Sequence, residues 1–267
     1  MLTILLSIVS AAAVFTVLTK QMEVSTGWGI ASAILVFVLI QIAVSLLLRW
    51  KMKKINQDLQ QVMLATQKNM ERKQQIFIRQ RNQNQVMMRM QLEAEQKKGI
   101  EDALAVCEQF RPLCKWNLMM KKQIATMQMA FHYQMKNWEE VDKLLPRCVY
   151  LDPQTICMKL ARMYKNKDEK LEKFYKKRSR LLRKDSIVLP AATYSWILLK
   201  LGKKAEALKV LNDALKKTSN DYLLRNRDAI VNDKLKLFSN ADFAETWYVL
   251  ALEEPKMQKI QQRVVYR

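Results

Sequence analysis

Two long apolar stretches at the N-terminus constrain this chain more than any other feature of its sequence. Residues 2–18 form an uncharged run of 17 residues, and residues 28–48 form a second run of 21. Helices of about these lengths are sufficient to cross the hydrocarbon layer of a bilayer. Unpaired backbone amides are costly in lipid, so both runs are predicted to be helical. We therefore expect residues 1–50 to form a two-helix transmembrane hairpin, with the lipid bilayer as one partner of the protein.

A cluster of basic residues, which we call the collar, follows the second run directly. It consists of Arg49, Lys51, Lys53 and Lys54. The positive-inside rule places such a cluster in the cytoplasm, so a hairpin would have both termini there. In the alternative, the first run is a cleaved signal peptide, and the rest of the chain lies outside with a single anchor. The first run lacks a preceding positive charge and continues past its small residues, which favours the hairpin.

The rest of the chain is predicted to be all-α and strongly basic. The sequence has only four Gly and five Pro, too few for a fold rich in strands and turns. Its formal net charge of +21 indicates an anionic neighbour, and for a membrane protein anionic lipid is the first candidate. Nucleic acid and acidic protein are the other two.

Residues 51–98 are rich in Gln, Asn, Met, Lys and Arg and contain no Gly or Pro before residue 99. This composition predicts a helical juxtamembrane stalk, which as a single helix would reach about 70 Å. An apolar 3-4 spacing begins at Ile55 and resumes at Met87, but polar residues interrupt it between them. We interpret the stalk as a solvated spacer, with a homodimeric coiled coil as the alternative.

Amphipathic helices separated by short breaks are predicted from residue 99 onward. Residues 99–218 form the helical array, and residues 219–267 form capping helices and a tail. The predicted helices cover residues 99–110, 116–135, 138–145, 154–164, 168–184, 191–201, 203–217, 221–237 and 242–252. The intervening loops are short, which makes sequential helices antiparallel neighbours.

Two of these helix pairs share a pattern. Gly202 is followed by Ala207 and a run of Leu and Ala, and Trp138 is followed by Val141 and then by Asp152-Pro153. Val141 and Ala207 lie 66 residues apart, which is two periods of 33. This pattern resembles the tetratricopeptide repeat (TPR), whose unit is a helix pair closed by a small residue. The resemblance implies a short α-solenoid and covers roughly residues 116–218; Lys170-Leu171-Glu172 and Pro146 depart from it.

The resemblance also implies a partner-binding groove lined by the first helix of each repeat. The residues at those positions are Tyr133, Gln134, Tyr164, Lys165, Trp196, Leu199 and Lys200. A basic groove favours an acidic protein segment or a C-terminal carboxylate. The whole layout also resembles the two-span bacterial inner-membrane TPR proteins associated with haem-biosynthesis operons, which implies an inner-membrane location but from which we transfer no haem role.

A second basic region lies between residues 159 and 184, where twelve Lys and Arg oppose three acidic residues. We interpret it as an amphipathic repeat helix with a solvated face. The alternative is an anion-binding surface that would hold nucleic acid through its phosphates. The residues of that surface are Lys173, Lys176, Lys177, Arg180, Arg183 and Lys184.

The sequence offers little support for catalysis. His132 is the only histidine, and no spacing of Cys, His and carboxylates is typical of a metal site. Glycine-rich phosphate loops and a nucleophile elbow are also absent from the sequence. We predict a non-enzymatic, cofactor-free scaffold tethered to a membrane. The alternatives are a membrane-associated nucleic-acid or ribosome-binding factor and a structural subunit of a larger membrane complex.

Overall fold

The computed structural model describes residues 2–20, 25–79, 85–116 and 119–254. Within these ranges all regular structure is helical, which confirms the all-α class. The chain divides into two compact units, Met1–Cys148 and Val149–Arg267. The first unit contains α1 (Leu2–Lys20), α2 (Thr26–Arg79), α3 (Gln85–Glu108), α4 (Met120–Gln134) and α5 (Trp138–Leu144). The second contains α6 (Pro153–Lys165), α7 (Leu171–Ser179), α8 (Val188–Lys200), α9 (Lys204–Leu215), α10 (Asp221–Val231) and α11 (Glu245–Tyr248).

Helices α1 and α2 are both long and apolar enough to cross a membrane. The most apolar windows of the two helices have mean hydropathies of 2.3 and 2.7. The helices pack antiparallel, because Gln41 Nε2 donates a hydrogen bond to Ser7 Oγ at 2.9 Å and Gly29 packs against Phe15. Gln41 is the one strongly polar side chain in the second apolar run, so its pairing with Ser7 satisfies a group that would be costly in lipid.

The predicted helical stalk, residues 51–98, is divided between two helices and does not form one long helix. Helix α2 ends at Arg79, and α3 runs back along it. Glu95 accepts hydrogen bonds from Asn69 Nδ2 at 3.1 Å and from Lys73 Nζ at 2.5 Å. Gly99 packs so closely on Thr66 that a Cβ at position 99 would overlap the Thr66 side chain. Residues 80–84, which connect the two helices in sequence, lie outside the described residues.

These contacts explain the polar interruption in the stalk pattern. Thr66, Asn69 and Lys73 occupy the seam that should have been apolar in a coiled coil, and they face α3 of the same chain. The hydrogen bonds from Lys73 and Asn69 hold the pKa of Glu95 below its usual value. These polar residues of α2 therefore pair with α3 of the same chain, in a helical hairpin.

A small apolar cluster closes the open end of the α2–α3 hairpin. Buried Phe110, Leu113, Met120 and Ile124 pack against the half-buried Leu48, Met52 and Ile55 of α2. Pro112 ends the helical path as expected, because residues Arg111–Lys115 form a 3-10 turn after α3. The predicted helix over residues 116–135 begins only at Met120.

Four helices end in the same kind of turn. Each has a residue with positive φ just after the helix, and the next amide donates to a carbonyl five residues back at 2.8–3.0 Å. This is the Schellman arrangement, which satisfies carbonyls that a helix end leaves unpaired. The positive-φ residues are Lys136, Lys167, Gly202 and Asp233, spaced by 31, 35 and 31 residues.

Val141 and Ala207, the matched small residues of the sequence pattern, are both fully buried. Each lies in the helix that follows one of these turns, α5 or α9 respectively. A small side chain at this position lets the two helices of a pair approach closely. Pro146 also acts as expected, because α5 ends at Leu144 and gives way to a 3-10 turn.

The predicted helices near the C-terminus are too long. The helix predicted over residues 168–184 is α7 and ends at Ser179, whose carbonyl accepts from Lys217 Nζ at 2.7 Å. The helix predicted over residues 221–237 ends at Val231, where the Schellman turn at Asp233 begins. Residues 242–252 contain only the short α11 and turns. The helix predicted over residues 191–201 begins earlier, at Val188, and Pro190 lies in the first turn of α8, where a proline is tolerated.

Candidate partner-binding site

An aromatic cluster of the second unit lies around Trp196 in α8. The Tyr164 ring meets the Trp196 ring edge to face at a centroid distance of 5.9 Å, and the Trp247 ring meets it at 5.7 Å. Lys200 Nζ lies 5.1 Å from the Trp196 ring centroid, within the range of a cation–π interaction. We call Tyr164, Trp196, Lys200, Trp247 and Glu253 the tryptophan site.

Glu253 gives this cluster its chemical character. Trp196 Nε1 donates to Glu253 Oε1 at 2.8 Å, and Trp247 Nε1 donates to Glu253 Oε2 at 2.9 Å. Both tryptophans are buried, whereas the Glu253 side chain is partly exposed. Two indole N–H groups thus converge on the two oxygens of one carboxylate. Hydrogen bonds to a charged acceptor are stronger than those between neutral groups, so this pair of donors holds the Glu253 carboxylate firmly.

The burial of α8 fixes the position of Trp196. It lies in α8, of whose thirteen residues ten are buried. Most of these residues are apolar, and two of the polar ones, Thr193 and Ser195, donate to α8 carbonyls. The buried helix therefore holds the Trp196 ring with little freedom, at one face of the site.

A buried asparagine network positions the segment that carries Trp247. Asn240 donates to the Ala192 carbonyl of α8 at 3.0 Å and accepts from Asn226 at 3.0 Å. Asn226 is also paired with the backbone of Ser239 in both directions. Both asparagines are fully buried. Because unsatisfied amides are costly in an interior, this network ties residues 238–243, and hence α11, to α8.

A cavity of about 580 Å³ adjoins Tyr164. Its lining combines apolar side chains with Lys165, Lys167 and Asp168. The full lining is Met163, Tyr164, Lys165, Lys167, Asp168, Leu171 and Leu201. This volume falls in the range typical of ligand pockets, and its two lysines favour an acidic occupant.

The structure brings several of the predicted groove residues together. Tyr164, Trp196 and Lys200 meet in the tryptophan site, Lys165 lines the adjoining cavity, and Leu199 is half-buried in α8. Tyr133 and Gln134 belong to the first unit. Tyr133 is only 1% exposed and packs edge to face on Trp138 at 5.1 Å, so it supports the α4–α5 turn, whereas Gln134 is exposed.

Trp247 and Glu253 were missed as members of this site. We interpreted residues 219–267 as capping helices and a tail, without a binding role. An indole N–H needs a partner when it is buried, and the acidic pair that follows Trp247 in sequence supplies one. An aromatic tail followed by an acidic pair was therefore the sequence feature that could have indicated these two residues.

The predicted anion-binding surface is exposed at every position. Lys173, Lys176 and Lys177 project from α7, and Arg180, Arg183 and Lys184 follow its end. Lys176 forms a hydrogen-bonded ion pair with Glu172, which lowers the pKa of that carboxyl.

Arg178 differs from these exposed neighbours because it is half-buried. Its Nη1 donates to the Tyr150 carbonyl at 3.1 Å, and its guanidinium lies 5.8 Å from the Phe174 ring centroid. Arg178 is therefore a packing residue of the second unit. Because α7 ends at Ser179, the six cations of the predicted anion-binding surface are divided between this helix and the segment that follows it.

The four cysteines are free thiols in the structure. Cys107, Cys148 and Cys157 are buried and Cys114 is half-buried. Burial raises the pKa of the Cys107 thiol to about 11 and that of Cys157 to about 12, so neither is a ready nucleophile. Over the described ranges, no group of three His, Cys, Asp or Glu could hold a metal ion.

Comparison of the sequence with protein-family models, with curated proteins and with solved structures found no match. The TPR resemblance therefore stays a resemblance.

Proposed function

We propose that this protein is a membrane-tethered, non-enzymatic scaffold that binds an acidic protein segment through the tryptophan site. The observation that carries the proposal is the Glu253 carboxylate held by the Trp196 and Trp247 indoles. It supports this site as a receptor for carboxylates, with Lys165 and Lys200 close enough to favour anionic segments. In this proposal, Glu253 occupies the receptor until a partner carboxylate replaces it.

The membrane half of the proposal is supported by α1, by the apolar part of α2 and by the collar. All four collar residues are exposed on α2 directly after its apolar run. Trp28 and Trp50, which lie at the two ends of this run, are 74% and 66% exposed. Tryptophans favour the two interfaces of a bilayer, and basic residues favour its cytoplasmic face. We infer an inner-membrane protein of a bacterium with both termini in the cytoplasm.

The recurrent Schellman turns support a TPR-like array of helix pairs. Their spacings of 31 to 35 residues match the repeat length of that architecture. Stacked helix pairs present a concave surface, which is the usual binding surface of such arrays.

The proposal is tested by site-specific photocrosslinking of the full chain in native membranes. A photoreactive amino acid replaces Lys200, beside Trp196, and the captured protein is identified by mass spectrometry. The matched control carries the same group at Lys236, which is exposed in the same unit. We expect a protein partner captured at position 200 and not at position 236.

Trp196→Phe provides the second arm of this experiment. Phenylalanine keeps an aromatic ring but removes the N–H donor, so capture at position 200 should fall while the chain remains folded. Glu253→Gln, which removes the competing charge, should increase it. Capture that is unaffected by both substitutions, or capture of lipid alone, contradicts the proposal. Release of the intact chain by carbonate extraction contradicts its membrane half.

A further inference from the structure

The α2–α3 hairpin returns the chain to the end of the apolar part of α2. Leu48 is the last residue of the apolar run, and it packs with Met52 and Ile55 against Phe110, Leu113, Met120 and Ile124. We call residues 110–116 and 119–124 the return segment. Its apolar side chains are buried on the same stretch of α2 that carries the collar, residues 49–54.

A second contact places the return segment at the same level. Thr3 Oγ1 donates to the Trp116 carbonyl at 3.5 Å. Because α1 is antiparallel to α2, with Ser7 beside Gln41, Thr3 lies close to the end of the α2 apolar run. Contacts from α1 and from α2 therefore agree that the return segment lies at the level where α1 begins and the apolar run of α2 ends.

The return segment doubles the positive charge at this level. Arg111, Lys115, Lys121 and Lys122 are all exposed. Together with the collar they make eight cations, and the acidic residues in the two stretches, 48–58 and 108–124, are only Asp58 and Glu108. Glu108 is engaged by Arg111 at 3.0 Å. Met119, which is 44% exposed, adds an apolar side chain beside these cations.

We propose that the return segment and the collar together form an interfacial binding site for anionic phospholipid headgroups. This inference rests on the membrane anchoring proposed above. The occupant follows from two features: the site is continuous with two helices apolar enough to cross a bilayer, and its charge is complementary to phosphate. Lys and Arg bind phosphate oxygens through charge-assisted hydrogen bonds, and Trp50 and Trp116 suit the headgroup region.

The site differs from a simple collar because its halves are distant in sequence. Arg49 and Lys121 meet the same membrane surface only if the hairpin is closed. Anionic lipid would therefore stabilise the closed hairpin, because it binds the two halves together and not the open form.

The test uses the full chain in lipid nanodiscs, with an environment-sensitive fluorophore on Met119→Cys in a Cys114→Ser background. One set of discs contains phosphatidylcholine alone, and the other contains phosphatidylcholine mixed with phosphatidylglycerol. We expect a blue shift of emission in the anionic discs that is reversed when salt is raised from about 0.1 M to about 1 M. Equal emission in the two lipids overturns the proposal without any substitution.

A charge-removal variant and a matched control sharpen the result. Lys115→Gln, Lys121→Gln and Lys122→Gln together should weaken the lipid-bound state about fivefold for each charge. Lys68→Gln, Arg72→Gln and Lys98→Gln, which remove the same charge from exposed positions farther along the hairpin, should leave it unchanged. An equal loss in both triple variants would mean a general charge effect and would overturn the site.

Carbonate extraction of the full chain from native membranes separates this inference from the proposed function. If the chain resists extraction but the fluorophore does not distinguish the lipids, only the lipid site fails. If carbonate frees the chain, the membrane anchoring fails and the lipid site fails with it.

Discussion

The α2–α3 hairpin and the α8–α9 hairpin are both pairs of antiparallel helices, but different interactions stabilise them. In α2, Gly29 is the only fully buried residue among 54, and the interface with α3 relies on Glu95, its polar partners and one close glycine contact. In α8, ten of thirteen residues are buried, and α9 adds Ala207, Leu211 and Ala214. The α2 side of the long pair therefore buries few residues, whereas both helices of the short pair bury several.

The largest expected effect concerns whether the α2–α3 hairpin is closed at all. Spin labels at Gln57 and Glu108 would lie about 75 Å apart in a continuous helix, but within roughly 20 Å in the hairpin. Pulsed electron resonance on the full chain in nanodiscs, with Cys114 replaced by Ser, measures this distance. A label pair at Gln57 and Gln75, both on α2, should give about 27 Å in either case. A long distance for the first pair would contradict the fold.

The packing of the α8 region should respond most strongly to Trp247→Ala. Trp247 is fully buried, so its truncation should lower the free energy of unfolding of this region by about 3–5 kcal/mol. Hydrogen exchange of the α8 amides in the full chain measures the loss. Tyr222→Ala, which truncates an aromatic ring that is 41% exposed, is the control and should have a much smaller effect. Similar losses for both variants would show that burial does not govern this region.

The α2–α3 interface should respond to Gly99→Ala. The new Cβ would overlap the Thr66 side chain, so the helices must separate, at a cost of about 1–3 kcal/mol. The faster exchange of α3 amides measures this cost. Thr66→Ala in the same chain should restore part of it. Gly27→Ala, where a Cβ meets no atom within 4 Å, should cost little, and an equal effect there would exclude the steric explanation.

The smallest effects are expected at the Schellman turns, and they should have opposite signs. Gly202 has φ +76°, so Gly202→Ala should destabilise the α8–α9 pair by about 1 kcal/mol. Lys167 has φ 55° with a side chain, so Lys167→Gly should stabilise its turn by up to about 1 kcal/mol. Hydrogen exchange of the flanking helices reports both changes. Effects of the same sign would show that backbone strain is not what distinguishes the two turns.

Much of the helical pattern could be predicted because local chemistry determines it. The apolar runs, the N-cap of α6 at Asp152, the 3-10 turn at Pro112 and the turn at Gly202 all follow from residues within a few positions. The reversal of the stalk could not be predicted in this way. Residues 80–84 contain neither Gly nor Pro, which would signal a turn. The reversal of chain direction is shown only by contacts between residues distant in sequence, such as Lys73 and Glu95.

Only some residues of the tryptophan site could be predicted from the sequence. The repeat pattern placed Tyr164, Trp196 and Lys200 on first helices of the repeats, and the structure brings them together. Trp247 and Glu253 come from the tail, which folds onto α8 through buried Asn226 and Asn240. Those asparagines resemble any polar surface residues in the sequence, because only the fold shows that they are buried.

The continuity of α2 has a mechanical consequence. Past Gly29 the helix contains no Gly or Pro up to Arg79, so it has no hinge residue between the apolar run and its far end. The part beyond Leu48 acts as a rigid arm about 45 Å long. A change of about 10° in the tilt of the apolar part would displace the end of that arm by about 8 Å. If α2 spans a bilayer as proposed above, a change in its tilt is converted into movement far from the lipid.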